Sequence, residues 1–112
     1  MATWVTLCEN KEFRTLYYRG KSAVHAGVVT YVRRNRLGYP RVGITTGKKV
    51  GCAVKRSRAR RVIREGFRPL LPQVGGYDIV FVARTRTPEL KSTTLTPVIR
   101  RHLTEMGVIS DG

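Results

Sequence analysis

Residues 47–68, GKKVGCAVKRSRARRVIREGFR, carry the densest pattern in the chain: a glycine-bracketed Lys48-Lys49-Val50 turn, then a basic amphipathic run. From about Lys55 to Arg68, Ala59, Val62, Ile63 and Phe67 recur at helical spacing, and Pro69 and Pro72 forbid continuation. This spacing predicts a helix with one buried stripe. Its other side carries Lys55, Arg56, Arg58, Arg60, Arg61 and Arg64, six cations in ten residues, with Arg56, Arg60 and Arg64 stacked at intervals of four. Like charges so spaced oppose the helix unless an anion neutralises them, and a merely solvated face usually alternates sign.

The rest of the chain supports that reading. It has 112 residues, 22 Lys+Arg, seven Asp+Glu and a net charge of +15. The 52 residues from Phe13 to Arg64 contain no acid and 15 basic residues, while the remaining seven basic residues match the seven acids. One half of the chain therefore holds the whole excess, and such a field implies a polyanionic partner, with nucleic acid first. Arginine outnumbers lysine, and its planar fork suits phosphates and base edges. An anionic membrane surface would call for bulky apolar residues opposite a basic helical face, whereas here they also fill strands. The longest uncharged apolar runs, such as Ile79–Ala83, are far short of the roughly 20 residues of a bilayer span. Met1 to Glu9 has neither a basic start nor a long apolar run, so a cytoplasmic location is expected. The cysteines Cys8 and Cys52 are too few for a disulfide framework.

Length and a 41% hydrophobic content predict a single domain over residues 1–112. A first helix is expected from Glu9 to Arg19, with Asn10 as N-cap and Gly20 as stop. Period-two alternation from Ala23 to Arg33 predicts a strand with Val24, Ala26, Val28, Thr30 and Val32 on its core face. A basic turn then leads to a strand at Arg41–Thr46, expected to pair with the first as a hairpin. Tyr77–Ala83, nearly all apolar, predicts a central strand covered on both faces. A last helix is expected over Ser92–Met106, with Leu95, Val98, Ile99, His102 and Leu103 inward and Pro97 in its first turn. The order α-β-β-α-β-α makes an α+β fold, one small sheet with helices packed on it.

The 47–68 segment resembles the signature of the protein subunit of bacterial ribonuclease P. In that family a Lys-Lys turn, a Gly-x-Ala-Val step and an Arg-Asn-Arg core open a long basic helix. The core here is Arg56-Ser57-Arg58, with Ser57 in place of the family's Asn, and Cys52 follows Gly51 where the family usually has Asn. The likeness runs from about Leu7 to Leu103 and includes Glu12-Phe13, Tyr17, Gly20, Tyr31, Arg41-Val42-Gly43 and Tyr77-Asp78 through Ala83-Arg84. It implies a left-handed strand–helix–strand crossover, where the usual rule is right-handed.

The resemblance also implies a division of labour. An RNA subunit cleaves precursor tRNA with Mg²⁺ and releases the 5′ leader, while the protein, one per RNA and without a tightly bound cofactor of its own, binds that RNA and the leader. It places Phe13, Tyr17, Tyr31 and Thr45 along a groove for single-stranded leader, with Lys48, Lys49 and Arg56 at one end. It leaves Arg58, Arg60, Arg61 and Arg64 for the catalytic RNA. The residues themselves agree in one respect: a two-metal nuclease needs clustered carboxylates, and the basic half has none. His25 and His102 are the sole acid–base pair on offer, and their strand and helix positions favour packing roles over catalysis. Cys8, Cys52 and the histidines lack metal-ligand spacing. The alternative reading is a structural RNA-binding module such as a small ribosomal protein, for which three aromatics in a groove would have no use.

Overall fold

The apolar run Tyr77–Ala83 takes the middle of the sheet, because Ile79, Val80 and Phe81 are all fully buried and need cover on both faces. A computed structural model describes residues 5–6 and 10–109. Its elements are β1 (Val5–Thr6), α1 (Asn10–Arg19), β2 (Lys21–His25), β3 (Val28–Arg34), β4 (Arg41–Thr45), α2 (Ala53–Phe67), β5 (Tyr77–Ala83) and α3 (Ser92–Glu105). Short 3-10 turns cover Lys48–Val50, Arg68–Gln73 and Thr87–Glu89. The sheet order is β1-β4-β5-β3-β2, with β5 parallel to β4 and antiparallel to β3. The α+β class holds. Glu9, expected to open the first helix, and Cys8 lie outside the described residues.

The strand expected from Ala23 to Arg33 is in fact a hairpin, β2 and β3, joined by a turn at Ala26 and Gly27. His25 pairs with Val28 and Val24 with Val29, so the two-residue turn reverses the alternation. Val28, Thr30 and Val32 face the core as expected, but Val24 shares Val29's face and is 66% exposed. Gly27 fixes the bend, since a Cβ there would approach Leu90 Cδ1 to 2.6 Å. The Thr87 hydroxyl donates to the Gly27 carbonyl at 2.6 Å and ties the turn down.

The hairpin expected between β3 and β4 does not form, because β5 lies between them. The most apolar strand gains most from two hydrogen-bonded neighbours, and a parallel β4–β5 pair becomes available once α2 supplies the crossover. Residues 35–40 therefore bridge the end of β5. Asn35 holds that bridge: its N–H donates to the Gly76 carbonyl at 2.8 Å, and its Nδ2 donates to Asp78 Oδ1 at 2.9 Å and to the Tyr39 carbonyl at 3.1 Å.

The larger core lies between one face of the sheet and α2 and α3. Ala59, Ile63 and Phe67 of α2 meet Ile79 and Phe81 of β5 and Leu95, Ile99 and Leu103 of α3, all fully buried. The Phe67 and Phe81 rings tilt against each other with centroids 5.1 Å apart. Each such side chain contributes roughly 1.5–3 kcal/mol by leaving water. Gly66 lets α2 and α3 approach, since a Cβ there would sit 3.1 Å from the Ser92 carbonyl oxygen, and the Thr96 hydroxyl donates to the Gly66 carbonyl at 2.8 Å. The helix begins at Ala53, two residues before the expected Lys55. Pro97 lies in the second turn of α3, not the first. Its missing N–H would have donated to the Thr93 carbonyl, so α3 forgoes that bond.

Candidate nucleic-acid interface

The opposite face of the sheet carries a smaller cluster. Leu16 of α1 packs on Val80, with Phe13, Tyr31 and Val82 around them. The register puts Tyr31, Val80 and Gly43 in one cross-strand row and Val29, Val82 and Thr45 in the next. Period two in each strand brings these residues to one face. Gly20 brings the end of α1 close to β3, where a Cβ would stand 2.7 Å from the Val32 carbonyl oxygen. Above the first row, Tyr17 meets Tyr31 edge-on, with centroids 4.8 Å apart and planes at 72°. Tyr17 is 41% exposed, and Phe13, Tyr31 and Thr45 are half-buried. Phe13, Tyr17, Tyr31 and Thr45 thus share one face, whose second row is an apolar floor of Val29 and Val82 that α1 leaves partly open.

Beyond Thr45 the chain enters the basic turn, where Lys48 and Lys49 are exposed and Val50 is buried as its anchor. Arg56 follows in α2, half-buried, and its Nε is buried without a hydrogen-bond partner. The sides of α2 then diverge. Arg60 donates through Nη1 to the Thr46 hydroxyl at 2.8 Å and through Nη2 to the Ser57 hydroxyl at 3.3 Å, which sets it on the β4 side beside Arg56. Arg58 and Arg61 are exposed on the other flank, where they line a hollow with Leu90, Lys91 and Ser92 at the start of α3. Arg64 is exposed one turn beyond Arg60. Arg56, Arg60 and Arg64, at intervals of four, thus share one side of α2, and Arg58, two residues before Arg60, lies on another.

The four-residue interval of Arg56, Arg60 and Arg64 and the face shared by Val29 and Tyr31 follow from the sequence; sequence reasoning missed Val82, which follows from continuing the alternation of β5 past Val80. The field at this end is positive in every direction. The backbone at Lys55, then that at Val54, holds the exposed Cys52 thiol below its ordinary pKa. Asp78, beside the groove rows, is neutralised by Arg41, whose Nε donates to Oδ1 at 2.9 Å and Nη2 to Oδ2 at 2.7 Å.

His25 and His102 line one cavity of about 620 Å³ between β2 and α3, away from the groove. His25 Nδ1 accepts the Gly27 N–H at 2.9 Å, and His102 Nδ1 is hydrogen-bonded to the buried Thr30 hydroxyl at 2.8 Å. Burial, then the neighbouring His25, pushes the His102 pKa down. Both rings thus hold structure through Nδ1. Among the described residues, no three His, Cys, Asp or Glu side chains gather as a metal-ligand set, and no helix is long and apolar enough to cross a membrane.

A family model described as Ribonuclease P matches residues 1–107. The Ribonuclease P protein component of Thermoanaerobacter sp. strain X514 is 40% identical over 98 residues, spanning 87% of this chain and 84% of that protein. The structure of the Staphylococcus aureus RNase P protein superposes with a TM-score of 0.82 at 26% identity, covering 96% of this chain and 100% of that one. The RNase P protein from Thermotoga maritima gives 0.74 at 28% identity, covering 86% and 92%.

Proposed function

Because the chain belongs to the ribonuclease P protein family, and so is the protein component of an endoribonuclease that pairs with an RNA subunit, we propose that it binds two RNAs on two surfaces. The groove of Phe13, Tyr17, Tyr31 and Thr45 takes the single-stranded 5′ leader of precursor tRNA, and Lys48, Lys49 and Arg56 hold its phosphates. Arg58, Arg60, Arg61 and Arg64 grip the catalytic RNA, and Arg60 also bonds Thr46 and Ser57 at the groove end. The observation that carries this reading is the partly open row of Tyr17 and Tyr31 leading to an end lined by Lys48, Lys49 and Arg56, which join no ion pair among the described residues. Aromatic faces stack on unpaired bases without demanding sequence, and each stack contributes roughly 1–3 kcal/mol.

The family's holoenzyme uses Mg²⁺. The reading assigns cleavage and its metal ions to the RNA, as the family's division of labour implies. The protein's share is charge: cations between two RNAs offset phosphate repulsion and lower the Mg²⁺ needed to hold them together. One protein acts per RNA, as a single RNA-binding domain over residues 1–112 in the cytoplasm.

Reconstitution tests this. Precursor tRNA cleavage by a bacterial ribonuclease P RNA at low Mg²⁺ should rise sharply when the protein is added. No stimulation would leave a structural role of the ribosomal-protein kind as the better account.

A further inference from the structure

Across α1 from the groove, Arg14, Thr15, Tyr18 and Arg19 of α1 and Arg33 of β3 line an open depression of about 860 Å³. Tyr18 is 86% exposed. Arg14, Arg19 and Arg33 are exposed, and none of them joins an ion pair among the described residues. An aromatic plate left in water among three guanidinium groups combines a stacking surface with phosphate donors, the pairing that single-stranded nucleic acid selects. A clamp on duplex backbone has use for the cations and none for the ring.

The depression adjoins the groove across α1. Tyr18 follows Tyr17 in α1, and Arg33 follows Tyr31 two residues later on the same face of β3. The aromatic row thus has Thr45 and the Lys48–Lys49 turn beyond one end and Arg33 beyond the other. Asp78, opposite Arg33, is already neutralised by Arg41 and does not repel a phosphate there.

From this placement we infer that the Arg14–Tyr18–Arg19–Arg33 depression is a second single-strand subsite. It takes leader nucleotides that leave the groove and pass over α1 toward Arg33. Tyr18 stacks on an unpaired base, and the three arginines pair with the flanking phosphates. The subsite rests on the leader-groove reading.

The test is a ladder of precursor tRNAs whose leaders lengthen one nucleotide at a time, bound to reconstituted holoenzyme at fixed salt and Mg²⁺. Affinity of the unaltered protein should rise in two stages with leader length. Tyr18→Ala should remove the second stage, a loss of about fivefold or more for one stack, and leave the first. Tyr18→Phe should retain both, and Arg14→Ala with Arg33→Ala should flatten the salt dependence of the second stage. A single plateau, or a second stage indifferent to Tyr18→Ala, overturns the subsite while the groove stands if Tyr17→Ala removes the first stage. A Tyr17→Ala protein that binds every leader normally overturns the groove itself. If Tyr18→Ala instead weakens assembly with the RNA subunit, the depression belongs to folded RNA and the inference fails.

Discussion

Truncation of Tyr17 to Ala separates the groove's two roles, binding and packing. The ring is 41% exposed, and its covered part lies edge-on against Tyr31 at 4.8 Å. The exposed part is what a base would meet, so its loss should weaken leader binding by about 1–3 kcal/mol, roughly 5- to 150-fold in Kd. The edge-on pair contributes about 0.5–1.5 kcal/mol to folding, a loss seen in unfolding rather than in binding by the folded protein. Tyr17→Phe keeps both ring contacts and should bind almost normally. The assay compares the affinity of reconstituted holoenzyme for precursor and mature tRNA at one salt and one Mg²⁺ concentration. Only the precursor should lose affinity. An equal loss for mature tRNA, or an undiminished affinity for the precursor, would refute the assignment of this row to the leader.

The other surfaces make their own predictions. Arg58→Ala and Arg61→Ala should each weaken assembly with the RNA subunit in a gel-shift titration and reduce the salt slope by about 0.7–0.9 per lost contact, leaving leader discrimination unchanged. Asp78→Ala strips Arg41 of its carboxylate and Asn35 of an acceptor, costing about 1–3 kcal/mol in urea unfolding; the pair's partial exposure favours the lower end. His102 has a folded pKa below its ordinary 6.5, so at lower pH the unfolded chain binds the proton first. Stability should hold above pH 6.5 and fall as pH drops below it toward the depressed value. His102→Gln, which keeps a partner for Thr30 and does not titrate, should show a shallower fall in thermal unfolding between neutral and mildly acidic pH.

What the sequence made legible was whatever repeats with a fixed period inside one element. Ala59, Val62, Ile63 and Phe67 mark the buried stripe of α2, and the unbroken apolarity of Tyr77–Ala83 marks the central strand. Between elements it was weaker. Ala23–Arg33 keeps a plausible alternation straight through the Ala26-Gly27 turn, and the side chains that crowd Gly27 at the bend, Leu90 and Leu95, lie far along the chain. Likewise, Arg41–Thr45 follows β3 closely enough to suggest a hairpin, while its actual neighbour β5 is chosen by burial across the whole sheet. At the candidate site, periodicity located the aromatics and the cations, but the bonds from Arg60 to Thr46 and Ser57, which tie α2 to the end of β4, join residues from separate elements and carry no periodic signal.

The insertion of β5 between β3 and β4 also sets a timetable. Arg41 and Asp78, paired across the sheet, are 37 residues apart, so β4 has no central neighbour until the chain has been made through Ala83. The β2–β3 hairpin can close early on local contacts, while a parallel pairing of such separation must wait and is slow to find. During synthesis the arginine-rich segment therefore leaves the ribosome before the sheet that will orient it exists. The newborn chain is a basic polymer among abundant RNA before it is a shaped reader of one, and its selectivity arrives with its last strand.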